Sequence, residues 1–280
     1  MPTLSAVDFT APDAAREFAT SLRETGFGVL KNHPIDKALV SRIYETWENW
    51  FKTGDKTGFD FSRDTQDGFF PASISEKAQG YDVKDIKEYF HFYPWGRIPE
   101  ELRADVEAYY AGATKLAATL LSWVEANTPA DIAKNYRVPL SSMIADSQKT
   151  LLRILHYPPM TGSEEPGAVR AAAHTDINLL TILPAANEPG LQVQAKDGSW
   201  IDVPCEFGTL VVNIGDMLQE ASGHYYPSTK HRVINPTGER SEKSRISMPL
   251  FLHPRPDVVL SDRYTADSYL KERLRELGVL

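Results

Sequence analysis

The chain has one cysteine, Cys205, among its 280 residues. An internal disulfide needs two, so none staples this fold, and metal centres built on cysteine clusters are excluded. No apolar run approaches the roughly 20 residues that cross a bilayer as a helix. An excess of basic charge is missing as well. The formal net charge is −8, and there is no basic patch of the kind that draws nucleic acid. The opening residues, MPTLSAVDFTAPDAAREF, lack a basic start followed by an apolar stretch, so no secretory signal is expected. Repeats and low-complexity segments are also lacking. These absences lead us to expect a globular protein of the reducing cytoplasm, a monomer or weak homodimer with no membrane or nucleic-acid partner. Any metal site must be built from His, Asp and Glu.

What is present is ordinary in amount and ordered in pattern. Hydrophobic residues make up 42% and charged residues 24%, and the length allows a sizeable core. The first half reads mainly as helix. DAAREFATSLRETG carries Ala14, Phe18 and Leu22 at helical spacing, with Gly26 as a stop. FGVLKNHP reads as a short strand and DKALVSRIYETWENWFK as a second amphipathic helix. In IPEELRADVEAYYAGATKLAATLLSWVEA, Val106, Tyr110, Ala113, Ala117, Leu120 and Val124 recur every three or four residues and predict one buried face. Residues 57–85, rich in Gly, Asp, Ser and aromatics, lack a period and read as a long loop.

Near residue 148 the character changes. TLLRILHYP, LLTILP, LQVQA, WIDVP, GTLVVNIG, KHRVIN and RISMPLFL read as closely spaced strands, and Asp197-Gly198 marks a hairpin turn. This pattern predicts a mainly β protein, a jelly-roll core wrapped by an N-terminal helical layer. The expected division is a helical layer with a lid loop over 1–147, a β core over 148–258 and a C-terminal helix over 259–280, fused as one unit.

Within AAAHTDINLLTIL, His174 and Asp176 stand two apart. Residues i and i+2 of a strand face the same way, so both would project into one space. An imidazole nitrogen and a carboxylate oxygen suit a divalent metal, but two ligands hold it weakly. Three later histidines could supply a third. His224 lies in a Gly/Ser/Pro-flanked loop, and His253 precedes Pro254 near the end of the β region. His231, on a strand-like segment, is the choice. Two histidines and a carboxylate leave about three positions open on an octahedral metal, the facial arrangement of non-haem iron oxygenases. Arg245 and Ser247 are again two apart on a strand-like run and form a fork for a carboxylate. A zinc hydrolase on the same three ligands, and a non-catalytic barrel that binds a carboxylate, remain open at this point. The first gives Arg245 and Ser247 no task. The second leaves the His/Asp/His set unexplained.

Taken together, these motifs resemble those of the iron(II)/2-oxoglutarate-dependent dioxygenases, in their isopenicillin N synthase-like branch. The resemblance rests on His174-x-Asp176, His231 and Arg245-x-Ser247. It extends to LLRILHYPP, to the hairpin region ending in Gly215-Asp216, to GFGVLKNHPID and to DIKEYFHF, and covers about residues 5 to 255. Pro34 stands where the family usually has glycine, and His156 replaces a residue common before the tyrosine.

The resemblance implies a double-stranded β-helix with iron(II) on His174, Asp176 and His231. It implies 2-oxoglutarate held by Arg245 and Ser247 with Tyr157 in contact, O2 as co-reactant and ascorbate as a stimulant. The implied reaction yields succinate and CO2 while a C–H bond of a small-molecule substrate is oxidised, with hydroxylation the leading outcome. A same-fold oxidase that does not use 2-oxoglutarate is the alternative. The filled carboxylate position argues against halogenation. Phe69, Phe70, Tyr81 and Tyr225 are the candidates for the substrate pocket, the first three on a lid. Arg255 is a weaker candidate for an anionic substrate.

Overall fold

Strand LLRILHY shows how the molecule is layered. Leu152, Ile154 and His156 turn to one side, and Arg153, Leu155 and Tyr157 to the other, as the pleat requires. The first side joins a large hydrophobic core with the helices; the second faces a separate cluster of Phe70, Tyr89, Tyr157, Ala171 and Val233. The structure is a computed structural model and describes residues 4–74, 83–276 and 278.

Four strands come from the first half: β1 (Ala6–Asp8), β2 (Phe27–Lys31), β3 (Gly68–Phe70) and β4 (Glu88–Phe92). Nine follow: β5 (Leu151–Tyr157), β6 (Ala171–His174), β7 (Leu180–Pro184), β8 (Leu191–Gln194), β9 (Trp200–Asp202), β10 (Leu210–Ile214), β11 (His231–Val233), β12 (Arg245–Ser247) and β13 (Leu250–Leu252). A nine-stranded sheet runs β1-β2-β10-β7-β13-β5-β4-β3, with β12 also paired to β5; a four-stranded sheet runs β6-β11-β8-β9. The two enclose the interior of a jelly roll, as the strand pattern predicts. The helices are α1 (Ala14–Thr25), α2 (Lys37–Thr53), α3 (Glu100–Ala126), α4 (Ala130–Ala133), α5 (Leu140–Met143), α6 (Asp216–Ala221) and α7 (Ala266–Glu276).

The helices start and stop where their sequences say. Asp36 caps α2, its carboxylate accepting from the Ala38 N–H at 2.8 Å. Gly26 ends α1 in the left-handed region at φ 75°, its N–H donating to the Leu22 carbonyl. Gly28 lets α1 lie on β2: a Cβ there would stand 2.7 Å from the Phe18 ring. On α3 the buried face includes Val106, Ala113, Ala117, Leu120 and Val124, but Tyr109 and not Tyr110 is its buried tyrosine. Tyr110 lies at the edge and donates to the Thr150 carbonyl.

The N-terminal layer also contributes sheet: β2, read as a strand in FGVLKNHP, and β4 sit within the large sheet, and the hydrophobic core is continuous from α1 to β13. One expectation needs correction: the stretch 57–74 is not a free loop. Arg97 donates to the carbonyls of Gly58 and Asp60 and to the Asp67 carboxylate, and Phe61 N–H donates to Phe69 O. Its sequence hid this because the partner, Arg97, lies some 30 residues away.

Candidate metal and cosubstrate site

His174 ends β6, and His231 begins β11 directly opposite it. Asp176 lies past the end of β6, in the turn before β7. Strand alternation alone therefore does not bring Asp176 beside His174. Asp176 is brought round by the turn, which is fastened to the start of α6: Asp216 N–H donates to Asp176 O at 2.7 Å and Met217 N–H to Ile177 O at 3.2 Å. Gly215 makes this fit possible, since a Cβ there would collide with the Asn178 backbone.

The resulting geometry is close. The Asp176 Oδ1 stands 4.0 Å from His174 Nε2 and 3.6 Å from His231 Nε2. One ligand atom from each residue lies within 4.8 Å of the others. Both rings are oriented through their far nitrogens. His174 Nδ1 donates to the Ala172 carbonyl at 2.7 Å, and His231 Nδ1 to the Thr229 carbonyl at 3.2 Å. Each Nε2 is thereby left with its lone pair towards the shared space. Asp176 Oδ2 accepts from Thr181 Oγ1 at 2.6 Å and Asn213 Nδ2 at 2.8 Å, which leaves Oδ1 for the same space.

The electrostatics suit a cation. Desolvation inside the barrel, and then the neighbouring His231, push His174 down to about 4, so it is neutral near pH 7. Burial alone would raise Asp176. The nearby His231 and His174, with the Asn213 and Thr181 hydrogen bonds, outweigh it and hold the carboxyl below its usual range. Two imidazoles and one carboxylate form a donor set that fits a divalent first-row metal.

Deeper in the interior, Arg245 is 2% exposed. It pairs across the sheet with Tyr157, and Ser247 with Leu155, so both share the inner face. Arg245 Nε donates to the Glu188 carbonyl at 3.0 Å, while its Nη1 is buried with no hydrogen-bond partner among the described residues. A second buried cation, Arg170, escaped the sequence reading. Its Nη2 donates to the Lys243 carbonyl at 3.0 Å, and desolvation, then Arg245, lower it to about 10. Both guanidinium groups approach the Tyr157 ring, at 5.1 and 5.9 Å from its centroid.

The other candidates separate. His224 is exposed and stands outside the site, 4.0 Å from Glu220. His156 turns to the helical side, stacks on Phe51 and bonds Glu88 and Ser244. Phe69 and Phe70 alternate on β3. Phe69 is buried against Trp50 and Phe51 in the helical core, which corrects its place on a lid. Phe70 faces inward, against Tyr89 and His91. Tyr225 is also corrected: it packs on the helical core beneath Arg23, whose guanidinium lies 4.9 Å from its ring. Arg255 is tied to the carbonyls of Ser142 and Ala145. Tyr81 lies outside the described residues. Thr181 and Asn213, missed at first, did leave a signal as polar residues inside the apolar runs LLTILP and VVNIG. The Asp85–Lys87 ion pair, at 2.8 Å and buried, gives DIKEYF a role: Asp85 also accepts from Ala172 N–H and so anchors β6.

A jelly roll with two imidazoles and a carboxylate gathered on its inner wall, and a buried arginine beyond them, defines a mononuclear non-haem metal protein. Comparison with known proteins agrees. Residues 148–254 match the 2OG-Fe(II) oxygenase superfamily, and residues 3–109 match the non-haem dioxygenase in morphine synthesis N-terminal family. A solved structure from Shewanella oneidensis, described as an oxygenase, is 64% identical over the whole of both chains, with a TM-score of 0.91. A 2-oxoglutarate-dependent dioxygenase of Didymella fabae is 34% identical, covering 89% of this chain and 80% of its own. Gibberellin 3-beta-dioxygenase 1 of Arabidopsis thaliana is 28% identical, covering 91% and 72%. The chain belongs to the 2OG-Fe(II) oxygenase superfamily. It is an enzyme that uses iron(II), 2-oxoglutarate and O2 on a small-molecule substrate, and the readings as a zinc hydrolase or a non-catalytic barrel fall away.

Proposed function

We propose that His174, Asp176 and His231 hold the iron and that Arg245 and Ser247 take the distal carboxylate of 2-oxoglutarate, with Tyr157 against it. The observation that carries this reading is the Arg245 guanidinium, 2% exposed, with Nη1 unsatisfied among the described residues. A buried cation with an unmatched donor is costly unless an anion meets it. Iron(II) bound at the triad supplies the centre at which 2-oxoglutarate and O2 are converted to succinate and CO2 while a substrate C–H bond is oxidised.

The chain's own part is positional. The Nδ1 bonds fix both imidazoles, Thr181 and Asn213 aim Asp176, and Arg245 sets the cosubstrate's register. The apolar walls around Leu155, Ala171 and Val233 keep water from the interior. The preferred outcome is hydroxylation of a small molecule, with ascorbate stimulating. We infer further that residues 1–147, 148–258 and 259–280 act as one unit, a cytoplasmic monomer or weak homodimer that binds neither nucleic acid nor membrane. Among the described residues no helix is long and apolar enough to cross a membrane.

Calorimetry of metal and 2-oxoglutarate binding tests the assignment. Asp176→Ala should abolish metal binding and turnover, and His174→Ala and His231→Ala should do the same while the fold persists. Full activity in His231→Ala would sink it.

A further inference from the structure

The second buried cation, Arg170, has no part in the roles above. It is 1% exposed and immediately precedes β6. Its backbone is pinned on both sides. Arg170 N–H donates to Asn235 Oδ1 at 2.9 Å, and Asn235 Nδ2 donates to the Ala168 carbonyl at 2.8 Å. The next residue, Ala171, pairs with Val233, and both join Leu155 and Tyr157 in the cluster that lines the interior. The side chain is anchored through Nη2, which donates to the carbonyls of Lys243 at 3.0 Å and Pro158 at 3.4 Å. Lys243 stands two residues before Arg245, so this bond ties Arg170 to the chain that carries the cosubstrate fork. Arg170 Nε is buried with no hydrogen-bond partner among the described residues.

The charge here is unbalanced. Arg245 is as deep as Arg170, and its Nη1 is unsatisfied too. Desolvation and Arg245 lower Arg170 only to about 10, so it stays charged near pH 7. Glu188 acts on Arg170 through space, but it is engaged elsewhere: its carboxylate lies 3.6 Å from the Lys243 ammonium, and its carbonyl takes Arg245 Nε. Two guanidinium groups thus approach one tyrosine ring, each with a buried donor unmet. Like charges buried together are costly unless an anion meets both.

Resting on the function proposed above, we propose that Arg170 is a second cosubstrate residue, which takes the distal carboxylate of 2-oxoglutarate together with Arg245, its Nε supplying the added donor. The paired guanidinium groups then make that carboxylate the feature by which a 2-oxo acid is accepted. A 2-oxo acid of the same length that ends in a methyl group leaves both donors unmet and is refused.

The test is isothermal titration of the nickel(II)-loaded protein with 2-oxoglutarate and with 2-oxopentanoate, in which a methyl replaces the distal carboxylate. The unaltered chain should prefer 2-oxoglutarate. Arg170→Gln should weaken 2-oxoglutarate about tenfold or more and leave nickel and 2-oxopentanoate affinities near the unaltered values. A residue that only braced β12 would weaken both acids alike. If Arg170→Gln does not fold, Arg170→Lys, which keeps the charge and lacks the Nε donor, should show the same split at smaller size. An unchanged or tighter 2-oxoglutarate affinity in the folded variant overturns the proposal, and so does an equal loss for the two acids. Arg245→Ala is titrated beside it. If that variant loses 2-oxoglutarate and Arg170→Gln does not, this inference alone falls. If the unaltered chain binds no 2-oxoglutarate, or Arg245→Ala binds it normally, the function proposed above falls and this inference with it.

Discussion

Asp176 divides its work between two oxygens. Oδ1 faces the two histidine Nε2 atoms, and Oδ2 is held by Thr181 and Asn213. Removing a hydrogen bond of this kind frees the carboxylate to rotate and lowers its fit to the metal. Thr181→Val and Asn213→Ala should each weaken metal affinity about 10- to 100-fold, read by metal titration against a chelator. An unchanged affinity in both would show that the turn alone orients Asp176. Arg245 makes a second claim at this scale. Arg245→Ala should weaken 2-oxoglutarate binding by about 2–5 kcal/mol, because the cosubstrate carboxylate would be buried without its partner. If affinity holds and only stability falls, Arg245 serves the barrel and not the ligand.

At the scale of elements, β3 sorts two adjacent phenylalanines onto opposite faces. Phe69 meets Trp50 and Phe51 in the helical core, whereas Phe70 meets Tyr89 and His91 inside the barrel. Phe69→Ala should therefore cost about 3–5 kcal/mol in denaturant unfolding and leave the ratio of product to 2-oxoglutarate consumed near normal. Phe70→Ala should lower that ratio. Equal loss of coupling in both would contradict the division. The segment before β3 is clamped by Asp67 and Arg97. Burial would raise Asp67, but hydrogen bonds from Arg97 and Thr65 outweigh it and bring the carboxyl down to about 2. A carboxyl lowered on folding contributes stability that is whole above its ordinary 3.8 and is lost as pH falls through 2. Asp67→Asn should thus lower the melting temperature at pH 7 and flatten the acid loss between pH 4 and 2, measured on metal-free protein.

For the whole molecule, ligand binding and folding are linked. Metal and 2-oxoglutarate bind an interior that only the closed pair of sheets creates, so both should raise the melting temperature. A hundredfold excess over Kd is worth about 2.7 kcal/mol. With Arg245→Ala, the part of this rise due to 2-oxoglutarate should vanish at the same concentration while the part due to metal remains. Loss of both parts would mean that the variant disturbs the triad from a distance.

Much of this protein was legible in its residues taken alone. The helical periods of α1, α2 and α3, the strand runs after residue 148 and the motif His174-x-Asp176, His231, Arg245-x-Ser247 follow from local chemistry. Side-chain spacing along one strand or helix is a property of neighbouring residues, and it can be read without a fold. Two things depended on tertiary structure. Asp176 reaches the site through a turn fastened to α6, not through strand alternation. Phe69 and Phe70 could be assigned faces only once β3 was paired with β4. Sequence determines what each residue can do. Pairing between segments far apart in the chain decides which residues do it together, because strand register sets who faces whom and no single segment contains that information.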